Sequence, residues 1–129
     1  QMALAEFCKE NFYSHVKTIK NKLQKKSEAI CNALDKYFGS SAEYKKPDGG
    51  IFVWVDMHKK VDTSRLYELA LKDGVAINPG NEWSINKSGR HKMRLCFGNP
   101  SIKEIDEGIK RLAIICRKEF GIPTKIANL

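Results

Sequence analysis

The first 38 residues contain neither glycine nor proline, and their apolar residues fall on a helical period. Val16, Ile19, Leu23, Ile30, Leu34 and Phe38 follow one another at steps of three, four and seven, which places them on one helix face. Leu4, Phe7 and Cys8 begin a similar stripe. A strand, with its period of two, cannot bring these positions together. Asn11 or Ser14 could divide the run into two helices, and Gly39 supplies a C-terminal stop. Lys17, Lys20, Lys22, Lys25 and Lys26 occur without an intervening acid, which reads as a solvated helix face rather than a phosphate site. The chain opens on Gln1 inside this pattern with no capping residue ahead of it, so a piece of something longer is expected.

After residue 38 the period changes. Ala42 to Lys46 is a short extended candidate, and Pro47-Asp48-Gly49-Gly50 is a turn cluster. Ile51-Phe52-Val53-Trp54-Val55 is β-branched and aromatic on both alternating faces, the pattern of a central strand covered on both sides. Asp62 or Thr63 caps a helix carrying Leu66, Leu69 and Ala70, which ends at Gly74. Val75-Ala76-Ile77 is a short strand stopped by Pro79-Gly80, and Asn81 to His91 is a polar loop. In the next strand Met93, Leu95 and Phe97 alternate with Lys92, Arg94 and Cys96. Ser101 and Glu104 have capping-box spacing, and the helix behind them carries Ile102, Ile105, Ile109, Leu112, Cys116 and Phe120 on one face up to Gly121. The order is helix, two strands, helix, two strands, helix. It predicts an α+β fold, a small three- to four-stranded sheet with helices packed mainly on one side.

Length and charge narrow the function. A chain of 129 residues is one domain's worth, so a large two-domain enzyme does not fit in it. No apolar run approaches the roughly 18 residues of a membrane span, and the N-terminus lacks a basic signal-peptide region. Cys8, Cys31, Cys96 and Cys116 form no CxxC pair, which favours reduced, packed thiols in a cytoplasmic protein over a disulfide framework. His15, His58 and His91 lack metal-ligand spacing, so no metal site is expected. The net charge of +8 is the sole feature favouring a free-standing basic RNA-binding module.

Arg94 is the most informative residue. Met93 and Leu95 must point to the core, so the guanidinium stands on the opposite face at a fixed position. Bidentate recognition of a carboxylate or phosphate needs that rigidity, although an exposed arginine on an open sheet face has the same pattern. Gly49 and Gly50 let backbone approach a ligand or simply turn the chain, and Asn78-Pro79-Gly80-Asn81 is first a turn and then a site edge. Ser84-Ile85-Asn86-Lys87 matches S-x-x-K, but it lies in a polar loop without companion motifs, so Lys87 is not assigned a catalytic role. Phe52 and Trp54 read as core or interdomain contacts rather than as an RNA-stacking platform.

Three segments, taken together, carry a resemblance: Pro47-Asp48-Gly49-Gly50-Ile51-Phe52-Val53-Trp54, then Gly74-Val75-Ala76-Ile77-Asn78-Pro79-Gly80, then Met93-Arg94-Leu95-Cys96-Phe97-Gly98-Asn99-Pro100-Ser101. In this order they resemble the C-terminal small domain of class I/II aminotransferases, pyridoxal-phosphate enzymes of fold type I. The branch most resembled contains the 2-aminoadipate and kynurenine aminotransferases and the aminotransferase-like half of MocR-type regulators. The trailing helix, with Glu104 to Ile109 and Arg111-Leu112, and the opening helix around His15 also fit, whereas Leu23 stands where relatives often carry Tyr.

The resemblance implies that residues 1–129 are the small domain of a longer aminotransferase and that residues 1–38 join it to its own N-terminal large domain. It implies that Arg94 grips the α-carboxylate of an amino acid or 2-oxo acid, that Gly49 and Gly50 line the substrate pocket, and that Asn99 positions the end of the Arg94 strand. Pyridoxal 5'-phosphate serves the full-length protein, a homodimer. The Schiff-base lysine and the cofactor's other ligands belong to the large domain. The fragment alone is therefore expected to hold no cofactor, to contribute no catalytic or cofactor-binding residue, and to be inactive. The alternative is the effector domain of a MocR-type regulator. Neither membrane nor nucleic-acid partners are expected.

Overall fold

The computed structural model describes residues 1–86 and 88–126. The elements run α1 (Met2–Tyr37), β1 (Ala42–Tyr44), β2 (Phe52–Met57), α2 (Thr63–Lys72), β3 (Asn78–Pro79), β4 (Lys92–Cys96) and α3 (Ile102–Phe120), with short 3-10 turns at Gly39–Ser41 and Gly80–Trp83. The strands form one antiparallel sheet in the order β1-β2-β4-β3. The element order is the one the sequence pattern predicts, and the fold is α+β.

Alternation along the two central strands builds the core. Val53, Val55 and Met57 of β2, with Met93 and Leu95 of β4 and the following Phe97, point to one face and are buried. The helices cover that face with Ile30 and Leu34 from α1, Leu66 and Ala70 from α2, and Ile105, Ile109, Leu112 and Cys116 from α3. Asp62 caps α2 by accepting from the backbone N–H groups of Ser64 and Arg65. Ser101 and Glu104 close a capping box on α3, and Gly121 ends that helix in the left-handed conformation at φ 61°.

Helix α1 is unbroken. Asn11 and Ser14 do not divide it, and their side chains hydrogen-bond backward along the helix, Asn11 to the Phe7 carbonyl and Ser14 to the Asn11 carbonyl. At 1.5 Å per residue its 36 residues span about 54 Å, against an expected radius of gyration of about 14 Å for a 129-residue domain. The helix therefore overhangs. Ile30, Leu34 and Phe38 are buried as the stripe predicts, but Leu4, Phe7, Val16 and Ile19 from the same pattern are exposed.

Other expectations shift. Strand β2 is central but covered on one side only, and Trp54 is 46% exposed on the open face. Val75-Ala76-Ile77 is not a strand: the edge strand is Asn78–Pro79, opposite Arg94 and Met93. The Val75 N–H is taken by the Ala70 carbonyl at the end of α2, so pairing begins only beyond that crossover. The edge position tolerates Pro79 because its missing N–H faces no partner strand. Ile102 is half exposed at the start of α3, a turn before the helix meets the core. The four cysteines are free, with Cys31 and Cys116 buried and Cys96 exposed. Among the described residues no helix is long and apolar enough to cross a membrane, and no cluster of metal-ligating side chains occurs.

Candidate carboxylate-binding site

The open sheet face carries the candidate site. Antiparallel register sets Trp54 of β2 opposite Arg94 of β4, with Asn78 of β3 on its other side and Phe52 opposite Cys96. The alternation that buries Met93 and Leu95 sends Arg94 outward, as the sequence predicts. The 3-10 turn after β3 then brings Trp83 back across the sheet.

Arg94 lies between two rings. Its Cζ is 4.1 Å from the centroid of Phe52 and 4.0 Å from that of Trp83. Trp83 in turn meets Trp54 edge to face, with centroids 6.4 Å apart and planes at 86°. Phe52 and Trp54 are therefore not core residues: both belong to this face. The Nε of Arg94 is sealed from solvent and has no hydrogen-bond partner. Among the described residues Arg94 forms no salt bridge. Two acids share this face: Asp56 is held by His91 at 3.2 Å and Lys92 at 3.5 Å, and Glu43 lies opposite Asp56 on the outer strand β1, beyond β2 from Arg94. The result is an uncompensated guanidinium packed against two ring faces. A planar anion such as a carboxylate matches its free edge.

Backbone packing positions Trp83. A Cβ on Gly80 would sit 2.5 Å from the Gly89 carbonyl oxygen and 2.6 Å from that of Lys92. Glycine at 80 and 89 thus lets the Gly80–Trp83 turn press against the segment leading into β4. The sequence pattern leaves Trp83 in a polar loop, because this long-range contact has no local signature. Lys26 is a second residue the pattern misplaces. It is not part of the solvated lysine face, because its Nζ donates to the carbonyls of Gly98 at 2.9 Å and Asn99 at 3.2 Å just after β4.

The other expected site residues lie elsewhere. Gly49 and Gly50 form an exposed turn, with Gly50 at φ 77°. They face Val16, Ile19 and Leu23 of α1 across an apolar groove of about 570 Å³, into which Ser27 turns a buried hydroxyl without a partner. Arg94 does not line that groove. Asn99 is exposed and borders a separate cavity beside the start of α3. Lys87 lies outside the described residues.

An arginine packed against two rings on an open sheet face, beside a long overhanging helix, suits several folds, and comparison with known proteins decides among them. The profile for aminotransferase class I and II matches residues 1–112. The chain belongs to this aminotransferase family. A 2-aminoadipate transaminase of Thermus thermophilus is 31% identical over 112 residues, covering 87% of this chain and 28% of that protein. An uncharacterized HTH-type transcriptional regulator of Bacillus subtilis is 31% identical over 119 residues, covering 92% of this chain and 24% of that protein. The crystal structure of the α-aminoadipate aminotransferase LysN of Thermus thermophilus, complexed with N-(5'-phosphopyridoxyl)-L-leucine, superposes with a TM-score of 0.83. It is 29% identical and matches 91% of this chain and 30% of that one. The fold is that of the aminotransferase small domain. The chain thus spans about a quarter of the length of the curated relatives it matches.

The residues around Arg94 do not themselves fit pyridoxal phosphate. That cofactor needs a free lysine amine for its aldehyde and a carboxylate for its ring nitrogen. Lys92, the lysine beside Arg94 on β4, is already paired with Asp56.

Proposed function

We propose that this chain is the carboxylate-gripping part of an aminotransferase that moves an amino group from an amino acid to a 2-oxo acid. The observation that carries the proposal is Arg94, which is fixed between Phe52 and Trp83 and is left without an anion among the described residues. A substrate α-carboxylate supplies the missing charge, and holding it fixes the reacting carbon relative to the rest of the active site. Pyridoxal phosphate and its lysine belong to a large domain outside these residues. The exposed stripe of Leu4, Phe7, Val16 and Ile19 supports docking of such a domain on α1. The apolar groove between α1 and the Gly49-Gly50 turn extends that surface. The full protein acts in the cytoplasm as a homodimer.

In the full-length protein, Arg94→Ala lowers kcat/KM more than tenfold and raises KM, since a charge-assisted hydrogen bond is worth roughly 1.5–3 kcal/mol. Near-normal kinetics reject the assignment. The 129-residue chain alone neither binds pyridoxal phosphate tightly nor transaminates. A new cofactor absorbance band that borohydride removes would contradict this.

The regulator from Bacillus subtilis, which matches 92% of this chain, favours a second reading, the effector domain of a MocR-type transcription factor. Salt-dependent DNA binding by the full-length protein through a helix-turn-helix ahead of the large domain separates it from the enzyme.

A further inference from the structure

Arg94 could have been held by an acid, as most arginines on this chain are. Arg65 is held by Glu68 and Glu119, Arg90 by Asp62, and Arg111 by Glu107. Aromatic rings hold Arg94 instead, and the two rings have different origins. Phe52 is fixed in β2. Trp83 arrives from the turn outside the sheet, is 54% exposed, and meets Trp54 at a right angle. An exposed tryptophan does little for the core. Here it lies over a cation whose Nε is sealed from solvent.

We propose that Trp83 is a positioning residue for carboxylate binding, its indole clamping the Arg94 guanidinium against Phe52 so that the terminal nitrogens Nη1 and Nη2 present a pre-aligned edge. The inference rests on the reading of Arg94 as the carboxylate site. An acid partner would neutralise the guanidinium and compete with the substrate. Two π faces restrict its rotation and leave its charge and its edge N–H groups available. The entropy of ordering a long side chain is then lost on folding and not again on binding.

The test is an NMR titration of the ¹⁵N-labelled 129-residue chain with sodium pyruvate as the carboxylate probe, followed on the Arg94 Nε–H resonance. In the unliganded wild type this resonance lies upfield through the ring currents of Phe52 and Trp83. A random-coil position overturns the clamp without any variant. On titration the wild type responds saturably and Arg94→Gln does not. Trp83→Leu weakens the response by about threefold to tenfold, the range expected for one lost cation–π contact, and Trp83→Phe restores it to within about twofold. Melting temperatures within about 2 °C of wild type are expected for both, since a half-exposed side chain leaves no core cavity. If Arg94→Gln abolishes binding while Trp83→Leu binds like wild type, the clamp is wrong and the carboxylate reading survives. If the wild type shows no saturable response, or Arg94→Gln keeps it, the carboxylate reading fails and the clamp with it.

Discussion

Gly80→Ala tests the packing that seats Trp83. A methyl at position 80 would lie 2.5 Å from the Gly89 carbonyl oxygen and 2.6 Å from the Lys92 carbonyl oxygen, both backbone atoms. Ordinary carbon–oxygen contact needs roughly another 0.7 Å, so the chain must shift. The opposing segment resists. The Arg90 carbonyl accepts from the backbone N–H and hydroxyl of Thr63, the His91 carbonyl accepts from Met57 N–H, and Lys92 N–H donates to the Gly89 carbonyl. Overpacking of this kind costs about 1–3 kcal/mol. With an unfolding entropy near 2.1 cal/mol/K per residue, that is a fall in Tm of about 4–11 °C for this chain. Gly49→Ala is the matched control. No atom lies within 4 Å of its Cβ position and its φ is not positive, so Tm holds or rises slightly. Differential scanning calorimetry on the three proteins measures both. Gly80→Ala within about 2 °C of wild type would refute the argument that this close approach is rigid.

Three further outcomes are expected. Cys96, exposed on the sheet face, reacts with a thiol reagent in the native protein, whereas Cys116, pushed up to about 12 by burial, and Cys31, raised for the same reason, react only on unfolding; equal rates for all three would be inconsistent with this core. The Tyr37 hydroxyl and then Lys36 hold the Asp106 carboxyl below its usual range, so its contribution is present above about pH 4 and is lost as pH falls through the folded value; Tyr37→Phe should show a shallower loss of urea stability on acidification, and identical slopes would refute it. Lys26→Met keeps the stem but removes the donor to the Gly98 and Asn99 carbonyls and should lower urea stability by about 1 kcal/mol, checked by the unfolding midpoint.

Legibility in the sequence followed the range of the physics. Alternation across Met93 to Phe97 is local, and it gave strand β4, its buried face and the outward direction of Arg94. Capping at Ser101 and Glu104 is local too, and it gave the start of α3. The misplacements come from long-range contacts. Trp54 has a core residue's composition, but one face of β2 is open, and no pattern within the strand records what covers it. Trp83 sits among polar residues, and only the pairing of Gly80 with Gly89 brings it over Arg94. Lys26 looks like its neighbouring lysines until the loop after β4 arrives. The stripe on α1 is continuous in sequence, yet the fold covers only its C-terminal part.

The overhang of α1 has a mechanical meaning. The domain grips α1 from Lys26 onward, and the 24 helical residues ahead of it, Met2 to Lys25, reach about 36 Å beyond the grip. A rod held at one end multiplies rotation: a tilt of about 5° at the grip moves the far end by about 3 Å. Run in reverse, a body that seizes the far end sets the angle of the sheet at the near end with fine resolution, on the scale of the few tenths of an ångström that separate a good hydrogen bond from a poor one. Phe7 and Val16 touch nothing near Arg94, yet a body docked on them would, through this lever, set the tilt of the sheet that carries its guanidinium.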